Sequence, residues 1–177
     1  MRAVVDTNVI LVANLDHDDV SQDCVEACVE ALNEVQSSGV VVIDDQYLIL
    51  EEYQHKTNSQ SPKGVGDAFL KWLLQNQANP ARVVRVPVTS LADDRFDEFP
   101  NNDLQDHFDP PDRKFVAVAA ADDGCAPILQ AADCKWLDWW HTLEQHGVKV
   151  RFLCPDDVCR FYAKKFPENK LPELPIK

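Results

Sequence analysis

Short apolar runs alternate along the chain with longer stretches in which apolar residues recur every three or four positions. Residues 2–5 form a brief β-branched run that ends at Asp6, as a buried strand would. From Val20, the apolar positions Val25, Cys28, Val29, Leu32 and Val35 follow helical spacing, and Gly39 is placed to end the helix. Residues 40–43 (VVVI) are apolar on both faces, the pattern of a strand inside a parallel sheet. Asp44 and Asp45 offer caps for a helix through Tyr53. Residues 57–66 (TNSQSPKGVG) read as a loop. Val65, Phe69, Trp72 and Leu73 mark another helix, closed near Pro80. Residues 82–86, 127–130 and 148–153 complete five predicted strands. Between the last three lie helices opened by Asp112 and carrying Trp136, Trp140 and Leu143, and Pro155 suits the first turn of a final helix.

Strands alternating with helices predict an α/β fold: one domain over residues 1–166, with a central, mostly parallel five-stranded sheet and helices on both faces. Residues 167–177 read as a proline-containing C-terminal tail. Residues 87–109 read as an acidic loop, in which residues 93–109 hold seven acids against one arginine. A solvated loop is the reading its charge favours.

No run of 18 apolar residues is present, and Asp6 falls too early for the apolar core of a signal peptide. The expected location is therefore cytoplasmic, with no membrane association. Six cysteines without a Cys-x-x-Cys pair read as buried free thiols, against a zinc or redox site using Cys24 and Cys28 one helical turn apart. The net charge of −13 argues against a protein that grips nucleic acid through a basic surface. It leaves room for an enzyme in which bound cations meet the phosphates.

Ligands of open α/β sheets bind beyond the carboxyl ends of the strands. Asp6 directly follows the first strand there, and Asp133 follows the fourth by three residues. Glu52, on the helix after the second strand, and Asp112, opening the helix before the fourth, lie within reach of the same edge. Four carboxylates in one cleft repel one another, and a hard divalent cation such as Mg²⁺ or Mn²⁺ relieves the repulsion. Asp109 reads as a turn residue before Pro110.

Four segments then show a specific resemblance. VVDTNVIL (4–11), ILEEY (49–53), DPPDRKFVAVAAADDG (109–124) and PILQAADCKWLDW (127–139) resemble, in order, the four motifs of the PIN-domain nucleases. The resemblance spans roughly residues 2 to 165. It implies a parallel sheet with the first strand central and metal-binding, catalytic acids at Asp6, Glu52, Asp112 and Asp133. Glu51 competes with Glu52, and the family pattern selects Glu52. Asn8 is implied as a support by hydrogen bonding near Asp6. The implied reaction is metal-dependent endonucleolytic hydrolysis of RNA, leaving a 5′-phosphate and a 3′-hydroxyl. One version of that function is the toxin of a toxin–antitoxin pair, with an antitoxin or inhibitor protein as partner, and the family suggests a homodimer.

This chain departs from the pattern near its fourth acid. Leu129-Gln130-Ala131-Ala132 stands where the family often has Thr or Ser, and Lys135 stands where it often has a further acid. Asp138 is the nearest acid to supply that charge. Arg113, Lys114 and Lys135 form a candidate phosphate-facing rim, weighed against solvated helix charges. The competing functions are a catalytically decayed module that binds RNA or protein and an aspartyl-nucleophile phosphatase. The phosphatase would need a second acid at the position of Asn8.

Overall fold

The computed structural model describes residues 1–175, so residues 176–177 of the expected tail lie outside the described residues. Five strands, β1 (Arg2–Val5), β2 (Val40–Asp44), β3 (Val83–Val86), β4 (Ile128–Gln130) and β5 (Val150–Phe152), form one all-parallel sheet in the order β3-β2-β1-β4-β5. The fold is α/β, with helices on both faces and β1 central. Ala3, Val4 and Val5 are fully buried, as a strand covered on both faces requires.

Among the described residues, eight α-helices accompany the sheet: α1 (Thr7–Ala13), α2 (Gln22–Ser38), α3 (Leu48–Lys56), α4 (Val65–Asn76), α5 (Asn102–His107), α6 (Arg113–Ala121), α7 (Trp136–Gln145) and α8 (Pro155–Lys165). Helices α1, α2 and α4 pack on one another, while α6 lies against β1 and β2. The α1–α4 approach depends on Gly66, where a Cβ would stand 2.3 Å from the Ile10 carbonyl oxygen. Asp44 accepts from the backbone N–H groups of Leu48 (2.7 Å) and Ile49 (2.9 Å), so it caps α3 as its position suggested. No helix among the described residues is long and apolar enough to cross a membrane.

Two expectations need correction. Residues 87–109 are not simply a solvated loop. A short 3₁₀ turn (Ala92–Asp94), the Ser90–Phe96 bridge and α5 give the segment structure, and Phe96, Phe99 and Phe108 are buried. Gln105 is fully buried and pairs with the Phe96 backbone in both directions, its Oε1 accepting at 2.7 Å and its Nε2 donating at 3.2 Å. Three apolar rings among the acids outweigh the charge, because the acids keep their carboxylates in water while the rings reach the core.

The cysteines are not all free thiols either. Cys24 on α2 and Cys154 just before α8 form a disulfide across 130 residues, and Cys28 stays a buried free thiol beside them. That pairing comes from α2 packing near the start of α8, which no local spacing reports. In the described part of the tail, the Glu173 carbonyl accepts from the Trp140 indole at 2.9 Å and holds the segment against α7.

Candidate metal centre

The strand order reverses about β1. The chain runs outward through β2 and β3 on one side, then crosses to β4 and β5 on the other. Ligands of open α/β sheets bind beyond the carboxyl ends of the strands at such a switch point. Asp6 stands there, directly after β1. The Asp6 backbone N–H is bonded to the Leu129 carbonyl at 3.0 Å, which makes it the last rung between β1 and β4. Its side chain then caps α1, with Oδ1 accepting from the Asn8 N–H at 2.8 Å. One residue thus ends a strand and starts a helix, which buries its carboxylate almost completely.

The other acids arrive from three elements. Glu52 comes from α3, where its Oε1 accepts from the Thr7 hydroxyl and its Oε2 pairs with the Lys114 ammonium. Asp109 precedes the Pro110–Asp112 turn and Asp112 ends it, with the Asp112 N–H donating to the Asp109 carbonyl at 3.0 Å. Asp133 lies in the turn after β4 and accepts from the Lys135 N–H at 3.1 Å. One carboxylate oxygen each from Asp109, Asp112 and Asp133 lie within 4.8 Å of one another.

Charge ties Asp6 and Glu52 to this trio. Burial holds the Asp6 carboxyl well above the usual range. The nearby charge of Asp112 adds most after burial, Asp133 and Glu52 add less, and the Asn8 N–H opposes the rise. Asp112 is pushed up to about 7, first by burial and then by Asp133, Asp109 and Glu52, against the pull of Lys114. The Tyr53 hydroxyl, buried beneath and donating to the Val5 carbonyl, is raised by burial and then by Asp6 and Glu52.

Of the four predicted acids, Asp112 and Asp133 stand together in the trio, whereas Asp6 and Glu52 lie outside that ligand-distance group and reach it through their charge. The structure also adds two residues that sequence reasoning did not select. Asp109, read as a turn residue, belongs to the tightest trio. Its signal was the neighbouring Phe108, whose burial against Trp136 and Trp139 draws the end of the acidic segment inward. Thr7 orients Glu52, and nothing in the spacing of the motifs pointed to it.

The supporting residues take distinct places. Asn8 gives its backbone N–H to Asp6 and its side-chain oxygen to the Ala132 N–H at 2.8 Å. Asp138 is exposed and accepts from the Tyr162 hydroxyl at 2.6 Å, away from the charges acting on Asp6 and Asp112. Arg113 is buried and donates to the carbonyls of Phe108 (3.1 Å) and Asp93 (2.9 Å), so it ties down the acidic segment. Lys114 donates to the Pro111 carbonyl and pairs with Glu52, and Lys135 pairs with Asp109, which holds its ammonium above the ordinary range.

The donor set consists of carboxylate oxygens, the ligands that hard divalent cations such as Mg²⁺ and Mn²⁺ select. The two raised carboxyls mark a site where negative charge is crowded beyond what Lys114 and Lys135 neutralise. A cation held by Asp109, Asp112 and Asp133, with Asp6 and Glu52 behind them, fits that demand. No protein-family model matches the chain, and neither a curated protein nor a solved structure matches it.

Proposed function

We propose that this chain is a metal-dependent endoribonuclease of the PIN type. The observation that carries the reading is the trio of Asp109, Asp112 and Asp133 at the switch point of a parallel sheet, within charge range of Asp6 and Glu52, with Asp6 and Asp112 held against ionisation by burial and by their neighbours. The four motif resemblances, in order along the chain, supply RNA as the substrate.

A divalent cation bound there, Mg²⁺ or Mn²⁺, would supply an activated water and stabilise charge on the leaving oxygen of a phosphodiester. Attack of water on phosphorus breaks the bond to the 3′ oxygen, giving a 3′-hydroxyl and a 5′-phosphate. Within the chain, Thr7 fixes the rotamer of Glu52, and the Asn8 N–H holds Asp6 in its cap. The Asn8 side chain holds the turn that presents Asp133. Lys114 and Lys135 stand beside the carboxylates, where either ammonium can meet a substrate phosphate once its own acid is engaged elsewhere. A toxin paired with an inhibitor protein remains one form of this reading.

The second reading is a decayed module that binds RNA or protein without cutting. The ion pairs Lys135–Asp109 and Lys114–Glu52 favour it, because each places a resident cation on an acid of the site. Incubation of a mixed RNA pool with Mg²⁺ or Mn²⁺ separates the two. The nuclease reading expects cleavage by the wild type and its loss in Asp6→Asn and Asp112→Asn. Equal activity in all three proteins, or none in the wild type, sinks it.

A further inference from the structure

Beside the acids, and continuous with them through Asp133, lies a trough of about 400 Å³ bounded by His17, Asp18, Asp19, Asp133, Phe161 and Lys164. Its volume falls in the range of about 300–1,000 Å³ typical of small-ligand sites. One wall is an aromatic pair from distant parts of the chain. His17, in the segment between α1 and α2, stacks on Phe161 of α8 with ring centroids 5.9 Å apart and planes inclined by 27°. Both residues are half-buried, so the pair packs without being sealed. The His17 ring is oriented by its Nδ1–H, which donates to the Asp18 carbonyl at 2.8 Å. Arg160 covers Phe161 with its guanidinium carbon 4.5 Å from the ring centre.

The charges along the trough are of two kinds. Lys164 is 75% exposed and reaches Asp19 only at 3.7 Å, an open surface contact that leaves its ammonium available. Asp18 and Asp19 are exposed acceptors. They repel a phosphate but accept hydrogen bonds from a neutral ring with N–H groups along one edge. Single-stranded RNA is recognised by stacking its bases on aromatic side chains and by hydrogen bonds to their Watson–Crick edges. Guanine presents two adjacent donors there, N1–H and the N2 amino group, matched to a carboxylate. Uracil offers one donor, and adenine and cytosine each offer an amino group beside a ring acceptor.

The geometry points to this trough as the seat of a guanine base of single-stranded RNA, stacked at the His17–Phe161 wall, with Asp18 or Asp19 on its Watson–Crick edge and Lys164 toward the backbone phosphate. Its continuity with Asp133 sets that base beside the acids, with the adjoining phosphate toward them. The placement of the phosphate rests on the nuclease reading, whereas base binding in the trough does not.

The test is a titration of the whole protein with 5′-GMP, and separately with 5′-CMP, in buffer free of divalent cations, followed by the NMR signals of the His17 and Phe161 rings. Saturable shifts with GMP, at least about tenfold weaker with CMP and lost in Phe161→Leu, are expected; Phe161→Leu keeps an apolar side chain and removes the ring against which His17 is stacked. A parallel Mn²⁺ titration of Phe161→Leu should match the wild type and shows that the fold and the acids are intact. Absence of GMP shifts in a wild type that binds Mn²⁺ overturns the guanine seat and leaves the nuclease reading standing. GMP shifts at both rings in a protein that cleaves no RNA support the seat and count against the nuclease.

Discussion

The side-chain oxygen of Asn8 accepts the backbone N–H of Ala132 at 2.8 Å, so the residue two places after Asp6 holds the residue immediately before Asp133. The bond joins the ends of β1 and β4 across 124 positions of sequence and fixes the gap between two acids that no local element relates. Groups that orient ligands without touching the ion typically contribute about 10–100-fold in metal affinity. Asn8→Ala should therefore weaken Mn²⁺ binding by about tenfold while leaving the far-ultraviolet circular dichroism unchanged. Unaltered affinity in a folded variant would show that the β4 turn holds its place without Asn8.

Lys135 competes for an acid of the cluster. Its ammonium pairs with Asp109, so Lys135→Met frees a carboxylate. Mn²⁺ affinity should rise about three- to tenfold at low ionic strength, a gain that shrinks as salt screens the competing pair. RNA cleavage separates the lysine's two roles: tighter metal binding with slower cleavage assigns it to the substrate phosphate, and gains in both assign it to blocking the site. Weaker Mn²⁺ binding in Lys135→Met would contradict this account.

Asp112 gives the stability of the metal-free protein a pH dependence of defined sign. Its folded carboxyl titrates at about 7, above the unfolded value of roughly 3.9. Between those values the folded chain binds the extra proton, so stability is highest at the acid end of the window and is lost as pH rises toward 7. Asp112→Asn removes the penalty. At pH 8, without divalent cations, the variant should be more stable by about 1–3 kcal/mol, a range discounted for partial exposure of the carboxyl. The advantage should shrink toward pH 4. Thermal melts across that window check it, and Mn²⁺ should restore stability to the wild type alone. A variant less stable than the wild type at pH 8 would refute the assignment.

The Cys24–Cys154 disulfide closes 130 residues of chain. Cross-links of long loops restrict the unfolded ensemble, and their loss typically costs about 2–5 kcal/mol. Cys24→Ser should lower the denaturant midpoint accordingly without altering Mn²⁺ affinity, because the bond ties α2 to the start of α8 rather than to the acids. An unchanged midpoint under non-reducing conditions would mean that the bond contributes nothing in solution.

Much of this architecture can be read from the chain alone, for a physical reason. The inner strands are short and mostly apolar, and in a sheet buried on both faces that composition is required, while the edge strands β3 and β5 carry the exposed Arg85 and Arg151. The acids Asp6 and Asp133 are legible because they stand where strands end, and Asp112 because it opens a helix. Helix α1 is less legible: after Thr7 and Asn8 its remaining five residues, Val9 to Ala13, are all apolar and carry no amphipathic period to separate them from the strand before them. Asp109 was hidden by its surroundings, since seven acids suggest a solvated segment while three phenylalanines decide its packing. The Cys24–Cys154 bond and the Thr7–Glu52 contact depend on how separate helices meet, information that resides in the whole core.

Calorimetric titration with Mn²⁺ addresses the shared-cation site itself, before any substrate is involved. Wild-type protein should bind saturably, with protons released as the raised carboxyls of Asp6 and Asp112 give way to the ion. Asp112→Asn and Asp133→Asn should each lose about tenfold or more in affinity, in line with removing a direct ligand. Binding of equal strength in all three proteins, or no binding by the wild type, would contradict the claim that these acids share a cation.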